Sequence, residues 1–174
     1  LLTGNTDSNV GTHPFIGANW NGLVMKITPA GDVVWATAVP ARWSMSFRDS
    51  AEGPDGSLYA VGYHGDIVRD YYPSVLVGKF TADGELIEHV LIGEDQDWED
   101  VLPNGGDTPY DSAARCAWVG DSLVVAGNTG LGIETSAWVA SLTDELGVRW
   151  FSAFDGPATA RFEDLAVTDA GIVA

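Results

Sequence analysis

Hydrophobic residues along the chain come in short runs of about 5–7 residues, and clusters of turn residues bound each run. The runs are rich in Val, Leu, Ile and aromatic residues, and none of them shows a sustained period of about 3.6 residues. β-branched and aromatic side chains suit the pleated, half-buried surface of a strand. The pattern therefore predicts a chain built from short strands, with little helix.

Two sequence motifs recur along the chain and alternate with each other. The first is an apolar strand leading to Thr, a tight turn and a second strand, with copies ITPAGDVVW (27–35), FTADGELIE (80–88) and LTDELGVRW (142–150). The second is an Asp, a small-residue strand, a turn and an apolar strand, with copies at 48–62, 110–127 and 163–174. The turns carry Ala-Gly, Asp-Gly or Pro-Asp-Gly, which suit tight reversals between antiparallel strands.

Together the two motifs predict units of four short antiparallel strands, labelled A to D in chain order. Four strands at a period of about 50–60 residues are typical of β-propeller blades. The predicted segments are a blade lacking its first strand, two full blades and the first two strands of a further blade, at 1–40, 47–92, 110–155 and 162–174. Because a propeller ring closes with about 4–8 blades, we expect an all-β, incomplete propeller arc of about three blades. The remaining blades are expected in the same, longer chain.

Three stretches carry a family resemblance, namely LYAVG (58–62), VLVGKF (75–80) and GNT (127–129). They resemble the bacterial β-propeller repeat of secreted and cell-surface proteins. The chain departs from that repeat at Ser141 in place of Lys, at Glu88 in place of Trp, and where the turn Gly is displaced to Gly147. The resemblance implies a non-catalytic scaffold or binding module of a prokaryotic protein that is extracellular or on the cell surface, with the periplasm as the alternative compartment.

A weaker resemblance concerns pyrroloquinoline-quinone-type propellers, whose repeats have a turn Gly followed by a strand Trp. The stretch TPAGDVVW (28–35) is similar to that repeat, and LGVRW (146–150) is a poorer copy. This resemblance implies an alternative function as part of a propeller enzyme, such as a quinoprotein-like dehydrogenase, with its active residues outside this segment. The adjacent paired cysteines of those enzymes have no counterpart, because Cys116 is the one cysteine in the sequence.

Charge narrows the range of partners. The formal net charge is −17, and the lysines are Lys26 and Lys79. Such a surface repels nucleic-acid backbones and anionic lipid headgroups, so nucleic acid is not an expected partner. No apolar run reaches the roughly 18 residues that a spanning helix needs, so membrane insertion is not expected either. We expect both lysines to pack their stems on the blades and pair with carboxylates, and Cys116 to be a small buried hydrophobic residue.

Ligand binding is expected on the long connections between strands. In an up-and-down meander the tight A–B and C–D turns lie at one end, and the longer B–C and D–A loops lie at the other. The B–C loop at 63–74 concentrates polar and aromatic side chains: His64, Asp66, Arg69, Tyr71 and Tyr72. Aromatic rings beside hydrogen-bonding groups suit a carbohydrate or protein ligand. The alternative is that this loop packs on its neighbour.

The D–A loop at 93–111 is the most acidic connection. Its candidate calcium ligands are Asp95, Asp97, Glu99 and Asp100, because calcium prefers several carboxylate oxygens. The spacing departs from the EF-hand pattern, in which a Gly stands at the position of Asp100. A solvated acidic loop is therefore the alternative.

Three Asp residues recur at the start of the second motif: Asp49, Asp111 and Asp164. Their shared repeat position predicts that each accepts backbone N–H bonds at the entry of a blade. The sequence has no Gly-x-Ser-x-Gly, His-Glu-x-x-His or Gly-rich phosphate motif, and its histidines are scattered. No catalytic residue is assigned.

Overall fold

The computed structural model describes residues 1–6, 20–40, 44–66, 71–92, 112–131, 134–154, 160, 162, 164–168 and 171–173. Within these residues the chain is all-β, with thirteen strands and no helix. None of the described segments could therefore cross a membrane as a helix. The predicted low helix content is confirmed for this part of the chain.

The strands form four antiparallel sheets, and each sheet is built from strands that follow one another along the chain. Sheet 1 contains β1 (Leu2–Thr6), β2 (Asn21–Ile27) and β3 (Val33–Val39). Sheet 2 contains β4 (Met45–Glu52), β5 (Leu58–Asp66), β6 (Tyr71–Phe80) and β7 (Leu86–Ile92). Sheet 3 contains β8 (Ser112–Val119), β9 (Ser122–Leu131), β10 (Glu134–Leu142) and β11 (Val148–Phe154). Sheet 4 contains β12 (Ala166–Thr168) and β13 (Gly171–Val173), which completes the predicted strand order of three, four, four and two.

Sheets 2 and 3 are buried on both faces because side chains alternate along their strands. In β5, Leu58 and Ala60 join a core with residues of sheet 1, whereas Tyr59 and Val61 join a core with residues of sheet 3. β9 divides in the same way between the core shared with sheet 2 and a smaller cluster that includes Ile172 of sheet 4. Each fully buried aliphatic side chain contributes roughly 1.5–3 kcal/mol. The four sheets therefore stack face to face in chain order.

The C–D turns of the three larger sheets close with the same hydrogen bond. The N–H four residues after the turn Thr donates to its Oγ1, from Asp32 to Thr28 (3.1 Å), from Glu85 to Thr81 (3.0 Å) and from Gly147 to Thr143 (3.0 Å). The residue before that N–H takes a positive φ, which is 92° at Gly31, 85° at Gly84 and 60° at Leu146. The expected displacement of the turn Gly to Gly147 is therefore wrong, since Leu146 itself takes the left-handed conformation. Its side chain is buried in the core between sheets 2 and 3.

A one-residue bulge in the first strand of sheets 2 and 3 sets their register. Asp49 pairs with Val61 in sheet 2, and Arg115 pairs with Ala126 in sheet 3. Arg115, rather than Asp111, thus stands where Asp49 stands; Asp111 itself lies outside the described residues, so its predicted bonds to backbone N–H groups stay a prediction. The A–B connection is longer in sheet 2 than in sheet 3, where a two-residue turn joins β8 to β9. An alignment of the repeats that ignores this length difference therefore matches residues that do not occupy equivalent positions in the two sheets.

The B–C connections of sheets 2 and 3 are strand for most of their length. β5 and β6 stay paired as far as Asp66 and Tyr71, and β9 and β10 stay paired as far as Leu131 and Glu134. The B–C loop predicted at 63–74 is therefore corrected to a hairpin, and 128–136, the B–C connection of the next unit, is a hairpin as well. The physical reason is that aromatic and β-branched residues in these stretches favour continued pairing over an open loop.

Candidate functional site

Two hairpins extend beyond their sheets at the end that carries the B–C connections. β4 begins opposite His64 and β7 ends opposite Val75, so β5 and β6 continue past both neighbouring strands. β9 and β10 likewise continue past Ser112 of β8 and Phe154 of β11. We call these extensions the sheet 2 ribbon (65–66 with 71–73) and the sheet 3 ribbon (129–131 with 134–136). They place the backbone of two neighbouring sheets beyond the packed cores.

Strand pairing gathers most of the predicted ligand-binding residues on the sheet 2 ribbon. His64 lies at its base, as the last β5 residue paired with β4. Asp66 pairs with Tyr71 across the ribbon, and Tyr72 is the next residue of β6. Arg69 lies outside the described residues. Four of the five residues that the sequence singled out therefore share one end of one hairpin.

The base of the sheet 2 ribbon holds a cation that the sequence did not indicate. The guanidinium carbon of Arg48 lies 5.2 Å from the ring centroid of Tyr63, a distance at which a cation is attracted to the ring face. Arg48 is the unpaired residue of the β4 bulge, and the bulge cannot be located from the sequence pattern. In a chain of net charge −17, this contact places a positive group beside the predicted ligand surface.

The acidic loop does not enter the described structure. Asp95, Asp97, Glu99 and Asp100 all lie outside the described residues. Within the part of the chain that is described, no group of three or more His, Cys, Asp or Glu residues could hold a metal ion. Calcium binding by the acidic loop stays a prediction.

At the end opposite the ribbons, sheet 1 is joined to the C–D turn of sheet 2. The indole Nε1–H of Trp35 donates to the main-chain oxygen of Ala82 at 3.2 Å, and the hydroxyl of Thr37 donates to the main-chain oxygen of Gly84. The indole lies directly on this turn, because a Cβ placed on Gly84 would come within 2.5 Å of two of its ring atoms. We call this contact joint 1.

Sheet 2 is joined to the C–D turn of sheet 3 at the same turn position but through other donors. The hydroxyl of Tyr59 and the Nζ of Lys79 both donate to the main-chain oxygen of Asp144, at 3.2 and 2.9 Å. Asp144 is the second residue of its turn, as Ala82 is in joint 1. The Tyr59 ring also packs on Trp118, with centroids 4.8 Å apart. We call this contact joint 2.

The predicted pairing of the lysines with carboxylates is not what the structure shows for Lys79. Its Nζ lies 5.6 Å from the ring centroid of Tyr59 and donates to a main-chain oxygen. Lys26, at the equivalent strand position, is exposed. Within the described residues neither lysine forms an ion pair with a carboxylate.

The protonation of joint 2 fits a structural role. Burial raises the pKa of the Tyr59 hydroxyl above its usual value, although Lys79 opposes this effect. Burial acts to lower the pKa of Lys79, but Tyr59 and the carboxylates of Asp55 and Asp144 raise it overall. Both side chains therefore keep their protons at neutral pH and act as hydrogen-bond donors.

Asp49 and Cys116 connect sheets 2 and 3 at their first strands. Asp49 Oδ2 accepts the main-chain N–H of Cys116 at 2.9 Å, so Asp49 does accept a backbone N–H, although from the next sheet. Burial, and secondly the charge of Asp49, raise the pKa of the Cys116 thiol well above its usual value. A buried, protonated thiol is a poor nucleophile, and the prediction that Cys116 is a buried residue is confirmed.

Two exposed ion pairs complete the described charge contacts. Asp164 accepts hydrogen bonds from the N–H of Leu165 and from Arg115 Nε, and these bonds lower its pKa in that order of importance. Asp121 accepts a contact from Arg149 Nη1 at 2.8 Å, and this bond is the main cause of its lowered pKa. The charged groups in both ion pairs are therefore engaged in contacts within the chain.

Comparison of the sequence with protein-family models and with curated proteins finds no match.

Proposed function

We propose that the chain is an arc of β-propeller blades that serves as a non-catalytic scaffold and binding module. The protein is a secreted or surface-exposed prokaryotic protein, with its remaining blades in the same longer chain and a protein or a carbohydrate as its ligand. The observation that carries the proposal is the face-to-face stacking of four antiparallel sheets in chain order, with sheets 2 and 3 buried on both faces.

The contacts between neighbouring sheets support an arc. The first strands lie against one another, since β4 contacts β8 and β8 contacts β12, while β1 takes the place beside β4 in sheet 1. The outer strands β3, β7 and β11 make no comparable contact with one another in the described structure. Sheets that meet at their first strands and spread towards their last are arranged like blades around an axis.

The polar groups of the described sheets support a scaffold role. Tyr59, Lys79 and Asp49 each hydrogen-bond to the main chain of the next sheet. These bonds fix the stacking of the sheets, and the protonation of Tyr59 and Lys79 suits donors rather than acid–base catalysts. Rigid scaffolds of this kind carry binding residues on the connections at their ends.

The sheet 2 ribbon is the proposed ligand surface. The positions of Asp66, Tyr71 and Tyr72 lie on the two strands of this ribbon, with His64 and the Arg48 guanidinium at its base. Aromatic rings next to hydrogen-bonding groups can stack on a sugar ring or cover an apolar part of a peptide while the polar groups fix its orientation.

Arrays of glycans and peptides, probed with the wild-type chain and with a Tyr71→Ala/Tyr72→Ala variant, test this surface. We expect the wild-type chain to bind a restricted set of glycans or peptides, and the variant to lose that binding while keeping its melting temperature. Thr135→Ala in the sheet 3 ribbon is the matched control and should bind as the wild type does. Binding that the tyrosine variant retains in full would contradict the assignment of the surface.

The second candidate function is that the chain forms part of a quinoprotein-like propeller enzyme. The contact of Trp35 with the turn at Gly84 favours it, because a turn Gly and a strand Trp are the elements of that resemblance. Melting curves recorded with increasing pyrroloquinoline quinone at one constant calcium concentration separate the two candidates, because any stabilisation by calcium at the acidic loop is then the same in every sample. The scaffold proposal predicts no saturable rise in melting temperature, whereas a saturable rise would favour the enzyme.

A further inference from the structure

Arg48 differs from the other described arginines in having no carboxylate partner among the described residues. Acidic residues outnumber Lys and Arg in the chain by 25 to 8, so a cation without a carboxylate is unexpected. The other two described arginines form the ion pairs Arg115–Asp164 and Arg149–Asp121. Arg48 is exposed, and its contact within the described structure is with the ring of Tyr63. The N–H groups of this guanidinium are therefore not used by the described part of the chain.

The backbone and a buried ring hold Arg48 in place. Arg48 is the extra residue of the β4 bulge, between Phe47 and Asp49, which both pair with β5. A bulge re-aims the side chain of its extra residue relative to the regular alternation of the strand. The Tyr63 ring beneath the guanidinium is 7% exposed, so it is a fixed support. Attraction to a ring face uses no hydrogen bond, so the guanidinium keeps its N–H donors for a further partner.

Arg48 lies on the side of sheet 2 that faces sheet 3. Tyr63 and Tyr59 are four residues apart in β5, so their side chains belong to the same face, and Tyr59 is part of the core shared with sheet 3. Asp49, the next residue after Arg48, accepts the main-chain N–H of Cys116 in sheet 3, so its carboxylate is engaged elsewhere. Sheets 2 and 3 each have four described strands. Blades added at either end of the arc therefore do not stack against this face.

The same end of sheet 2 carries the proposed ligand surface. Tyr63 directly precedes His64 at the base of the sheet 2 ribbon, and the positions of Tyr71 and Tyr72 lie on the ribbon itself. Pro73 in β6 interrupts the series of main-chain N–H donors along the ribbon, which makes it a poor template for pairing with a peptide strand. A ligand that is held by side chains fits this ribbon better. A carbohydrate is such a ligand.

We propose that the ligand is an acidic carbohydrate and that Arg48 binds the carboxylate of one of its sugar residues. The planar guanidinium matches a carboxylate in shape and can donate two parallel hydrogen bonds to it. The neighbouring sugar residues then extend from the base of the sheet 2 ribbon along its strands. This inference rests on the proposed ligand surface, and it names the class of ligand that the surface binds.

Net charge limits how acidic this carbohydrate is. The chain carries a formal charge of −17, which repels polyanions, and Arg48 compensates a single negative charge. A glycan that ends in one uronic acid residue therefore fits better than a polyuronate or a heavily sulfated glycan. A uronic acid differs from its parent hexose in one group, because a carboxylate replaces the terminal CH₂OH. The contribution of the carboxylate can therefore be measured on matched pairs of glycans.

A glycan array tests the inference with pairs of oligosaccharides that end either in a uronic acid or in its parent hexose, at one physiological salt concentration. We expect the full chain to bind the uronic acid member of at least one pair about tenfold more tightly, because a charge-assisted contact is added. Arg48→Gln should bind both members as the wild type binds the hexose member, and Arg48→Lys, which keeps the charge without the fork, should keep part of the preference. Arg149→Gln is the matched control for loss of an exposed arginine and should keep all of it. Circular dichroism melting checks that each variant folds.

The outcomes separate this inference from the proposed function. Equal binding of both members by the wild-type chain, or a preference that Arg48→Gln retains, would overturn the acidic ligand. If the Tyr71→Ala/Tyr72→Ala variant still loses binding in that case, the ribbon remains the ligand surface for a neutral ligand. Binding to acidic peptides instead of glycans, or a preference for sulfated glycans, would also overturn the inference. A chain that binds no glycan and no peptide would overturn both the inference and the proposed ligand surface.

Discussion

Joint 1 and joint 2 connect neighbouring sheets at the same turn position, yet they share no donor. In joint 1 an indole donates to the oxygen of Ala82 and rests on Gly84. In joint 2 a phenol and an ammonium donate to the oxygen of Asp144, and the residue corresponding to Gly84 is Leu146. The turn geometry, closed by Thr in both cases, is what the two joints have in common.

The two joints differ in the left-handed residue of the turn as well as in the donor, since sheet 2 carries Glu88 where sheet 1 carries Trp35. A Gly leaves room for a flat indole directly on the turn, whereas Leu146 turns its side chain into the core between sheets 2 and 3 and adds apolar contact there. In joint 2 the side chains of Tyr59 and Lys79 donate to the turn carbonyl instead. The acceptor is a main-chain oxygen, so it is retained when the side chains of the repeat change.

The largest effect is expected from Gly84→Ala in joint 1. The new Cβ would lie within 2.5 Å of the Trp35 ring, and the residue would keep a φ of 85° that Ala rarely adopts. We expect the free energy of unfolding to fall by about 3 kcal/mol, measured by urea denaturation. Gly31→Ala is the matched control, because its φ is similar and its Cβ position is open. It should cost about 1 kcal/mol, and equal losses in both variants would show that the indole does not rest on Gly84.

Leu146→Gly in joint 2 should also destabilise the chain, although it relieves an unfavourable φ. The variant removes a side chain that is 4% exposed, which outweighs the relief of roughly 1 kcal/mol of backbone strain. We expect a net loss of about 2 kcal/mol in the free energy of unfolding. A more stable variant would mean that Leu146 contributes strain to joint 2 without compensating burial.

Lys79→Met should lower stability by about 1 kcal/mol at neutral pH, because the hydrogen bond to Asp144 is lost while most of the stem packing is kept. The folded chain raises the pKa of Lys79 and of Tyr59. Their contribution is therefore complete below the unfolded values of about 10 and is lost as pH rises through the folded values. Denaturation curves between about pH 8 and pH 12 should show a constant difference between the two proteins up to the unfolded values and a shrinking difference above them. A difference that stays constant across this range would contradict a charged Lys79 donor.

The smallest effect is expected from Arg149→Ala, which removes the ion pair with Asp121. The two side chains are 37% and 81% exposed, and exposed pairs of this kind are screened and weak. We expect no measurable change in the urea midpoint at physiological salt. A clear loss would mean that surface charge contributes as much as the joints do.

The sequence predicted the strand order because turn residues and apolar alternation are local properties. The recurrence of Thr28, Thr81 and Thr143 marked the C–D turns, and the structure confirms the hydrogen bonds that make them equivalent. The two-sided burial of the middle strands agrees with runs such as LVVAG at 123–127. The sheets of the described residues could thus be predicted from the pattern.

The features that the sequence did not predict depend on contacts between sheets. Nothing local to Lys79 or Tyr59 indicates that both reach the oxygen of Asp144 in the next sheet. The bulges that place Asp49 and Arg115 in equivalent positions change the register by one residue. They cannot be recognised in the pattern of apolar and polar residues. Asp66, Tyr71 and Tyr72 of the sheet 2 ribbon and His64 at its base were identified from composition alone, but their pairing in a hairpin followed from strand geometry.

The central claim is that a side-chain donor of one sheet bonds to a fixed main-chain oxygen in the turn of the next. Hydrogen exchange of the Trp indole N–H groups, followed by nuclear magnetic resonance at low salt and low concentration, tests it most directly. Trp35 Nε1–H, assigned with Trp35→Phe, should exchange slowly because it is bonded to Ala82, whereas the exposed Trp150 Nε1–H should exchange at a rate near that of a free indole. Equal and rapid exchange at both positions would contradict the claim.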